Sequence, residues 1–196
     1  MQALISIIAK SIDFDLIKWY YFKMHLSKRK GLNMIRRATM SDAPAILELV
    51  NYHAEKGLML KKCPYDIYRS IQAFFVYEED GKVVGCARVA VAWKDLVEIA
   101  SLAVHQDYAK RGIGRALVEK CLERAKQLHV PKAFSLTYQC EFFSKCGFHE
   151  VDRDTLPHKV FGDCLNCAKV ECCDEHAFVI DLPLDYKNLT KKSPFL

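Results

Sequence analysis

The stretch of sequence that decides the fold is Leu102–Leu117, which reads LAVHQDYAKRGIGRAL. A strand-like apolar run ends in a polar turn, and Arg-Gly-x-Gly then begins a segment with helical spacing of its apolar side chains. Gly112 and Gly114 leave backbone N–H groups uncovered at the predicted helix N-terminus, where the helix dipole also favours phosphate oxygens. Three basic side chains surround this turn: Lys110, Arg111 and Arg115. The stretch therefore predicts a strand, a phosphate-binding turn and a helix.

Two other phosphate-binding motifs do not fit this stretch. The dinucleotide-binding fingerprint Gly-x-Gly-x-x-Gly would need a glycine where the chain has Leu117. The P-loop pattern ending in Gly-Lys-Ser/Thr is absent as well. Glycines before a helix also occur in ordinary turns, so the glycine pattern alone does not identify a ligand.

The remainder of the body alternates helix and strand patterns, in the order β-α-α-β-β-β-α-β-α-β. Strands are predicted at 34–38, 74–78, 83–93, 97–104, 132–137 and from 148 onward. Helices are predicted from Ser41 or Asp42 to Lys56, from Pro64 to Ile71, and at 113–129 and 141–145. The acidic turn at 79–82 contains Asp-Gly and predicts a hairpin. The pattern is typical of a mixed α/β (α+β) single domain.

In this context the chain resembles the GNAT acetyltransferase superfamily, whose pyrophosphate-binding signature is Gln/Arg-x-x-Gly-x-Gly/Ala. Here the signature falls within residues 110–116, KRGIGRA. Residues 98–104 resemble the fourth strand of that family, and 141–148, EFFSKCGF, resemble its late aromatic signature. The resemblance runs from about Met34 to Asp152. It implies a central, mostly antiparallel twisted sheet flanked by helices, followed here by a Cys-rich C-terminal loop.

Within the superfamily, the similarity is strongest to single-domain amino-acid acetyltransferases related to N-acetylglutamate synthase. It rests on five segments: 57–62, 74–76, 84–87, 136–138 and 154–157. The resemblance implies acetyl transfer from acetyl-CoA, the co-substrate, to the amine of a small molecule, with an α-amino acid such as glutamate expected first. A polyamine, an antibiotic or a protein N-terminus is an alternative acceptor. A CoA-binding or metal-binding regulatory module without turnover is the alternative outside enzymology.

The resemblance also implies roles for individual residues. The backbone of Leu102, Ala103 and Val104 would pair with the pantetheine arm. The pyrophosphate would be held by Lys110, Arg111, Gly112, Ile113, Gly114 and Arg115. Glu98 is the candidate that deprotonates the amine directly or through water, and a structural ion pair is its alternative. Many relatives carry a tyrosine acid where this chain has Phe143, so that role is vacant or moves to Tyr138, for which packing is the alternative.

Three basic residues are candidates for acceptor binding. Lys61 and Lys62 lie where the resembled enzymes carry a basic residue near the acceptor carboxylate, and Arg88 is comparable on the predicted central hairpin. A basic side chain can pair with an α-carboxylate or a side-chain carboxylate. Solvent-exposed surface positions are the alternative for all three.

The nine cysteines divide into two groups. Five are scattered and are expected to be packing thiols: Cys63, Cys86, Cys121, Cys140 and Cys146. Four fall within residues 164–173, and an odd total with this spacing is a poor disulfide framework, which favours a reducing, cytoplasmic setting. Four soft ligands for structural zinc or an iron–sulfur cluster are His158, Cys164, Cys167 and Cys173. Reduced thiols, or a redox pair at Cys164 and Cys167, are the alternative.

Composition limits the partners of this protein. The chain has 196 residues, 51% hydrophobic residues and a net charge of +5, of which residues 1–33 contribute +4. We therefore expect an N-terminal extension at 1–33, one domain at 34–182 that includes the Cys-rich segment 158–175, and a tail at 183–196. The extension is too short for an amino-acid kinase domain. The nearly neutral body predicts no nucleic-acid partner, the short apolar runs predict no stable membrane insertion, and a homodimer is left open.

Overall fold

A computed structural model describes residues 33–156, 167, 169 and 172–183. The chain divides into two units, 1–32 and 33–196, and all described residues belong to the second. They form a seven-stranded sheet in the order β1-β2-β3-β4-β5-β7-β6. The strands are β1 Met34–Arg37, β2 Phe74–Glu79, β3 Lys82–Trp93, β4 Leu96–Val104, β5 Lys132–Thr137, β6 His149–Val151 and β7 His176–Asp181. Every pair is antiparallel except β4 with β5, which confirms the predicted mostly antiparallel sheet.

Four α-helices accompany the sheet in the described part of the chain. They are α1 Ala43–Ala54, α2 Pro64–Ser70, α3 Ile113–Gln127 and α4 Cys140–Lys145. The apolar spacing predicts all four, with bounds that differ by one or two residues. Pro64 occupies the first turn of α2, where its missing N–H costs no hydrogen bond.

The hairpin between β2 and β3 follows from local chemistry. Asp80 and Gly81 both have positive φ, 51° and 78°, as a two-residue turn between right-twisted strands requires. Aspartate tolerates this conformation better than most residues, and glycine adopts it without strain. In this hairpin Arg88 of β3 lies opposite Phe74 of β2, and the pairing of β3 with β4 brings Ala100 to its other side.

The two faces of the sheet are buried by different helices. One face packs against α3 through Leu117, Val118, Cys121 and Ala125. The other face packs against α1 and α2 through Ile46, Val50 and Ile67, and against Ile71 in the 3₁₀ turn after α2. Below, these are called the α3 face and the α1 face.

One strand is not expected from the sequence. Strand β7 follows the Cys-rich segment and inserts between β5 and β6, so that it pairs with both. Ala177, Phe178 and Val179 are buried there. The extended segment predicted from 148 onward is limited to the three residues of β6. The run of β7 is short, and its position inside the sheet depends on partners far away in the chain, which a local pattern does not show.

The expectation that the five scattered cysteines are packing thiols is correct for four of them. Cys86 and Cys121 are completely buried, and burial raises the pKa of both thiols to about 12. Cys140 and Cys146 are half-buried and pack against the core, whereas Cys63 is exposed before α2, so the prediction was wrong for Cys63 alone. Each cysteine in the described residues is a free thiol.

Candidate active site

A gap opens between β4 and β5. The two strands pair only where Leu96–Glu98 lie beside Lys132–Phe134. The hydroxyl of Ser135 then donates to the carbonyl oxygen of Ile99 at 2.9 Å. Beyond this point the outer edge of β4, residues 100–104, has no strand partner in the described part of the chain. Among the described residues, His53 binds the Val104 carbonyl oxygen of this edge, and the remaining outward-facing backbone groups can bind a ligand.

A β-bulge in β4 changes the direction of the side chains along this edge. Cys86 is opposite Ala103 and Arg88 is opposite Ala100, so Ser101 and Leu102 together face one residue of β3. Ser101 adopts a φ of 50°, as a bulged position allows. The extra residue turns Leu102 and Val104 toward the α3 face, where both pack against the core.

The phosphate-binding turn predicted from the glycines has the expected geometry. Gly112 lies at the start of α3 with a φ of 81°, which other residues adopt only with strain. A Cβ on Gly114 would come within 3.4 Å of the Phe142 ring. No side chain caps the N-terminus of α3. Because the first N–H groups of a helix have no partner within it, they can bind an anion.

A cavity of about 570 Å³ passes through the gap and reaches this turn. It is lined by ten of the predicted site residues: Lys62, Arg88, Glu98, Leu102, Val104, Lys110, Gly112, Ile113, Gly114 and Arg115. Four predicted residues are outside its lining: Lys61, Ala103, Arg111 and Tyr138. Lys61 is exposed and Ala103 is buried against α1.

The side chain of Arg111 is held away from the cavity. Its guanidinium donates to both carboxylate oxygens of Glu79 at 2.8 and 3.0 Å and lies 5.0 Å from the centre of the Tyr108 ring. The hydrogen bonds to Glu79 raise the pKa of Arg111. Arg111 therefore fastens the phosphate-binding turn to the β2–β3 hairpin, and Lys110 and Arg115 supply the charge beside the cavity.

The strands place the side chains of Arg88 and Glu98, two predicted site residues, on the α1 face. Arg88 is the partner of Ala100, two residues from Glu98, and alternate residues of a strand share a face. Leu96, on the same face as Glu98, packs with Leu156, Phe134 and Val179 rather than with α3. The gap thus separates the predicted phosphate-binding turn on the α3 face from Arg88 and Glu98 on the α1 face.

The segment after α1 reaches the cavity because a helix side chain holds it. The side-chain amide of Asn51 donates to the Lys62 carbonyl oxygen and accepts from the Lys62 N–H, both at 2.9 Å. Met59, Leu60 and Lys62 then line the cavity. His53, also on α1, donates from Nε2 to the carbonyl oxygen of Val104 at 2.9 Å. The sequence does not single out Asn51 or His53, because both contacts are long-range.

Tyr138 makes specific contacts outside the cavity. Its hydroxyl donates to Asp174 at 2.7 Å and accepts from the Lys169 ammonium at 3.2 Å. Burial and the hydrogen bond to Asp174 raise the pKa of Tyr138, which Lys169 opposes. Phe143, at the position of the family tyrosine, is 3% exposed and packs edge-on against Phe142 and Phe148. An acid role for Tyr138 stays a prediction.

The predicted metal ligands fall only partly within the described residues. Within those residues, no group of three or more His, Cys, Asp or Glu side chains could hold a metal ion. Cys167 and Cys173 are half-buried there. His158 and Cys164 lie outside the described residues, so zinc or an iron–sulfur cluster stays a prediction.

A sheet that opens beside β4, with an uncapped glycine turn at the N-terminus of the following helix, defines the class of protein. Residues 40–148 match the model of the Acetyltransferase (GNAT) family, and the chain belongs to this family. The predicted resemblance and the mixed α/β fold are confirmed, whereas the predicted Cys-rich C-terminal loop lies mostly outside the described residues. In the described part of the chain, no helix combines the length and apolar character that crossing a membrane requires.

Two relatives and one solved structure show which members of the family this chain is similar to. An uncharacterized N-acetyltransferase of Chlorobaculum tepidum is 39% identical over 145 residues, 74% of this chain and 94% of that protein. An amino-acid acetyltransferase of Mycobacterium tuberculosis is 39% identical over 133 residues, 66% of this chain and 76% of that enzyme. The structure of N-acetylglutamate synthase from Neisseria gonorrhoeae, complexed with coenzyme A and N-acetyl-glutamate, matches with a TM-score of 0.70 and 28% identity. That match covers 78% of this chain and 35% of the synthase.

Proposed function

We propose that this protein transfers the acetyl group of acetyl-CoA to the amino group of an α-amino acid such as glutamate. The observation that carries the proposal is the cavity through the gap between β4 and β5, which joins an anion-binding turn on one face to Glu98 and two cations on the other. The names of the relatives, an amino-acid acetyltransferase and an N-acetylglutamate synthase, support the acceptor class.

Acetyl-CoA fits the α3 side of the cavity. The N–H groups at the uncapped start of α3 bind the pyrophosphate, with Lys110 and Arg115 beside them. The open edge of β4 at Leu102 and Val104 binds the amide-containing arm as an added strand would. The carbonyl oxygen of Val104 already accepts from His53, so its N–H and the groups of Leu102 are the contacts left for the arm.

On the α1 face the residues present suit an amino-acid acceptor. Glu98 takes a proton from the ammonium, directly or through water. The amine nitrogen then bonds to the thioester carbonyl carbon, the C–S bond breaks, and the thiolate leaves with the electron pair of that bond. The nitrogen then carries two protons; one passes to solvent and the other stays on the neutral amide. Lys62 and Arg88 pair with the acceptor carboxylate, because charge-assisted hydrogen bonds are strong in a partly enclosed site.

A thiol-release assay with acetyl-CoA and each free amino acid tests the proposal. Release above the rate without acceptor, together with an acetylated product of the expected mass, supports it. Release only with a polyamine, an aminoglycoside or a peptide N-terminus would replace the acceptor class. Binding of acetyl-CoA without release for any amine would favour a regulatory module instead.

We also propose that the catalytic domain ends at residue 182. Strand β7 ends at Asp181, and the N–H of Leu182, a buried residue, donates to the Pro131 carbonyl oxygen at 2.6 Å. We therefore keep 34–182 as the catalytic unit, between an extension at 1–33 and a tail at 183–196. Structural metal at the Cys-rich segment, a homodimer and a cytoplasmic location are kept as predictions. Elemental analysis of the purified protein that detects no zinc or iron would exclude the metal.

A further inference from the structure

Glu175 lies in the cavity, a position that the sequence does not predict. It directly precedes β7, whose first residue, His176, pairs with Thr137 at the end of β5. Glu175 is half-buried and lines the cavity together with Leu136 and Thr137. It is therefore on the β5 side of the gap, across from β4.

Strand alternation places Glu175 on the same face as Glu98. Ala177 and Val179 pack with Leu96 and Leu156, whereas Phe178 packs against the α3 face. Because alternate residues share a face, Glu175 follows Ala177 and Val179 to the α1 face. The acceptor half of the cavity thus has two carboxyl groups, Glu98 and Glu175, and two cations, Lys62 and Arg88.

The surroundings of Glu175 disfavour the ionised form of its carboxyl group. Burial is the main cause that raises the pKa of this carboxyl; Asp174 raises it further, while Arg153 and Lys169 lower it. A second carboxylate beside Glu175 would add like-charge repulsion in a partly enclosed site. A ligand N–H group would instead donate to the carboxylate and offset part of its lost hydration.

We propose that Glu175 is a specificity residue that favours an acceptor amino acid whose side chain ends in a carboxamide over one whose side chain ends in a carboxylate. This proposal rests on the proposed function. A carboxamide has N–H donors, so its NH₂ donates to Glu175, while the α-carboxylate of the same acceptor pairs with Lys62 and Arg88. A carboxylate has only acceptors, and a second ammonium would be repelled by Lys62 and Arg88.

The test compares glutamine with glutamate, which have the same length and differ only in this group. We measure kcat/KM for both acceptors with the wild type, Glu175→Gln and Glu150→Gln. Glu150→Gln is a matched control. Glu150 is exposed and pairs with His176 of β7, and its substitution removes one negative charge near that strand. Glu175→Gln is expected to shift the glutamate-to-glutamine ratio toward glutamate by about tenfold, which corresponds to about 1.4 kcal/mol, and Glu150→Gln by less than about twofold.

Each outcome decides the proposal. A ratio that Glu175→Gln leaves unchanged, or an equal loss with both acceptors, overturns it. Glu175→Ala should shift the ratio in the same direction, and an unchanged KM for acetyl-CoA shows that the cofactor side is intact in either variant. If the wild type acetylates no amino acid at all, the proposed function fails and this proposal falls with it. Turnover of amino acids without a shift in the ratio overturns only the role of Glu175.

Discussion

Asn51 provides a sharp test of how the acceptor side is assembled. Its side-chain amide makes two hydrogen bonds of 2.9 Å to the backbone of Lys62, and these bonds tie the segment after α1 back to that helix. Asn51→Ala removes both bonds and leaves the Lys62 backbone groups half-buried. At about 1 kcal/mol for each bond, the free energy of unfolding should fall by about 2 kcal/mol, which urea denaturation measures.

The same substitution should separate the two substrates kinetically. Lys62 would no longer be held at the cavity, and losing about 1.4 kcal/mol of its interaction with the acceptor carboxylate raises the acceptor KM about tenfold. The KM for acetyl-CoA should stay within about twofold, because the phosphate-binding turn is on the α3 face. Steady-state kinetics with one substrate saturating measures each constant.

Two further variants decide whether Asn51 is a positioning residue. Asn51→Asp keeps an oxygen that accepts from the Lys62 N–H but loses the N–H that donates to the Lys62 carbonyl oxygen. The KM for the amino-acid substrate should therefore lie between the values of the wild type and Asn51→Ala. Gln127→Ala removes an exposed amide at the end of α3 and should change neither KM. If Asn51→Ala lowers stability and raises both KM values equally, the reasoning is refuted and Asn51 is only structural.

Three other predictions follow from described contacts. Gly112→Asp should weaken acetyl-CoA binding more than about tenfold in a calorimetric titration, whereas Gly81→Asp, also at a glycine with positive φ and open space, should not. Glu98→Gln should lower kcat by about 10²-fold or more with unchanged acetyl-CoA affinity, and a loss below about threefold would remove Glu98 as the base. Arg36 holds the pKa of Asp42 at about 2 through two hydrogen bonds, below the unfolded value of about 3.9. Asp42 therefore contributes about 2.5 kcal/mol above pH ~4 that is lost as the pH falls toward 2, and unfolding curves of Asp42→Asn should lack this dependence.

Local patterns predict the parts of the fold that local chemistry determines. The Asp80-Gly81 hairpin and the Gly112 turn both depend on residues that adopt positive φ within a few positions. For the same reason the Arg-Gly-x-Gly run indicates where the anion-binding turn lies. These features need no information from distant parts of the chain.

Contacts between distant segments account for what the sequence does not predict. Arg111 fits the basic pattern of the turn, yet Glu79, 32 positions earlier, holds its side chain outside the cavity. Glu175 reaches the cavity only because β7 inserts beside β5. Lys62, and not Lys61, lines the cavity because Asn51 binds its backbone. In each case the decisive partner is set by sheet order or helix packing, which composition and spacing do not show.

The gap that makes the site possible also weakens the sheet, and side chains offset this cost. Between β4 and β5 only three residues on each strand pair, so the other six residues of β4 have an edge without a strand in the described part of the chain. Two side chains hold this edge from opposite ends: Ser135 binds the carbonyl oxygen of Ile99, and His53 binds that of Val104. Both bonds use carbonyl groups at the ends of the open edge and leave Leu102 between them. The strand is thus fixed in place before any ligand binds, which lowers the entropy cost of binding there.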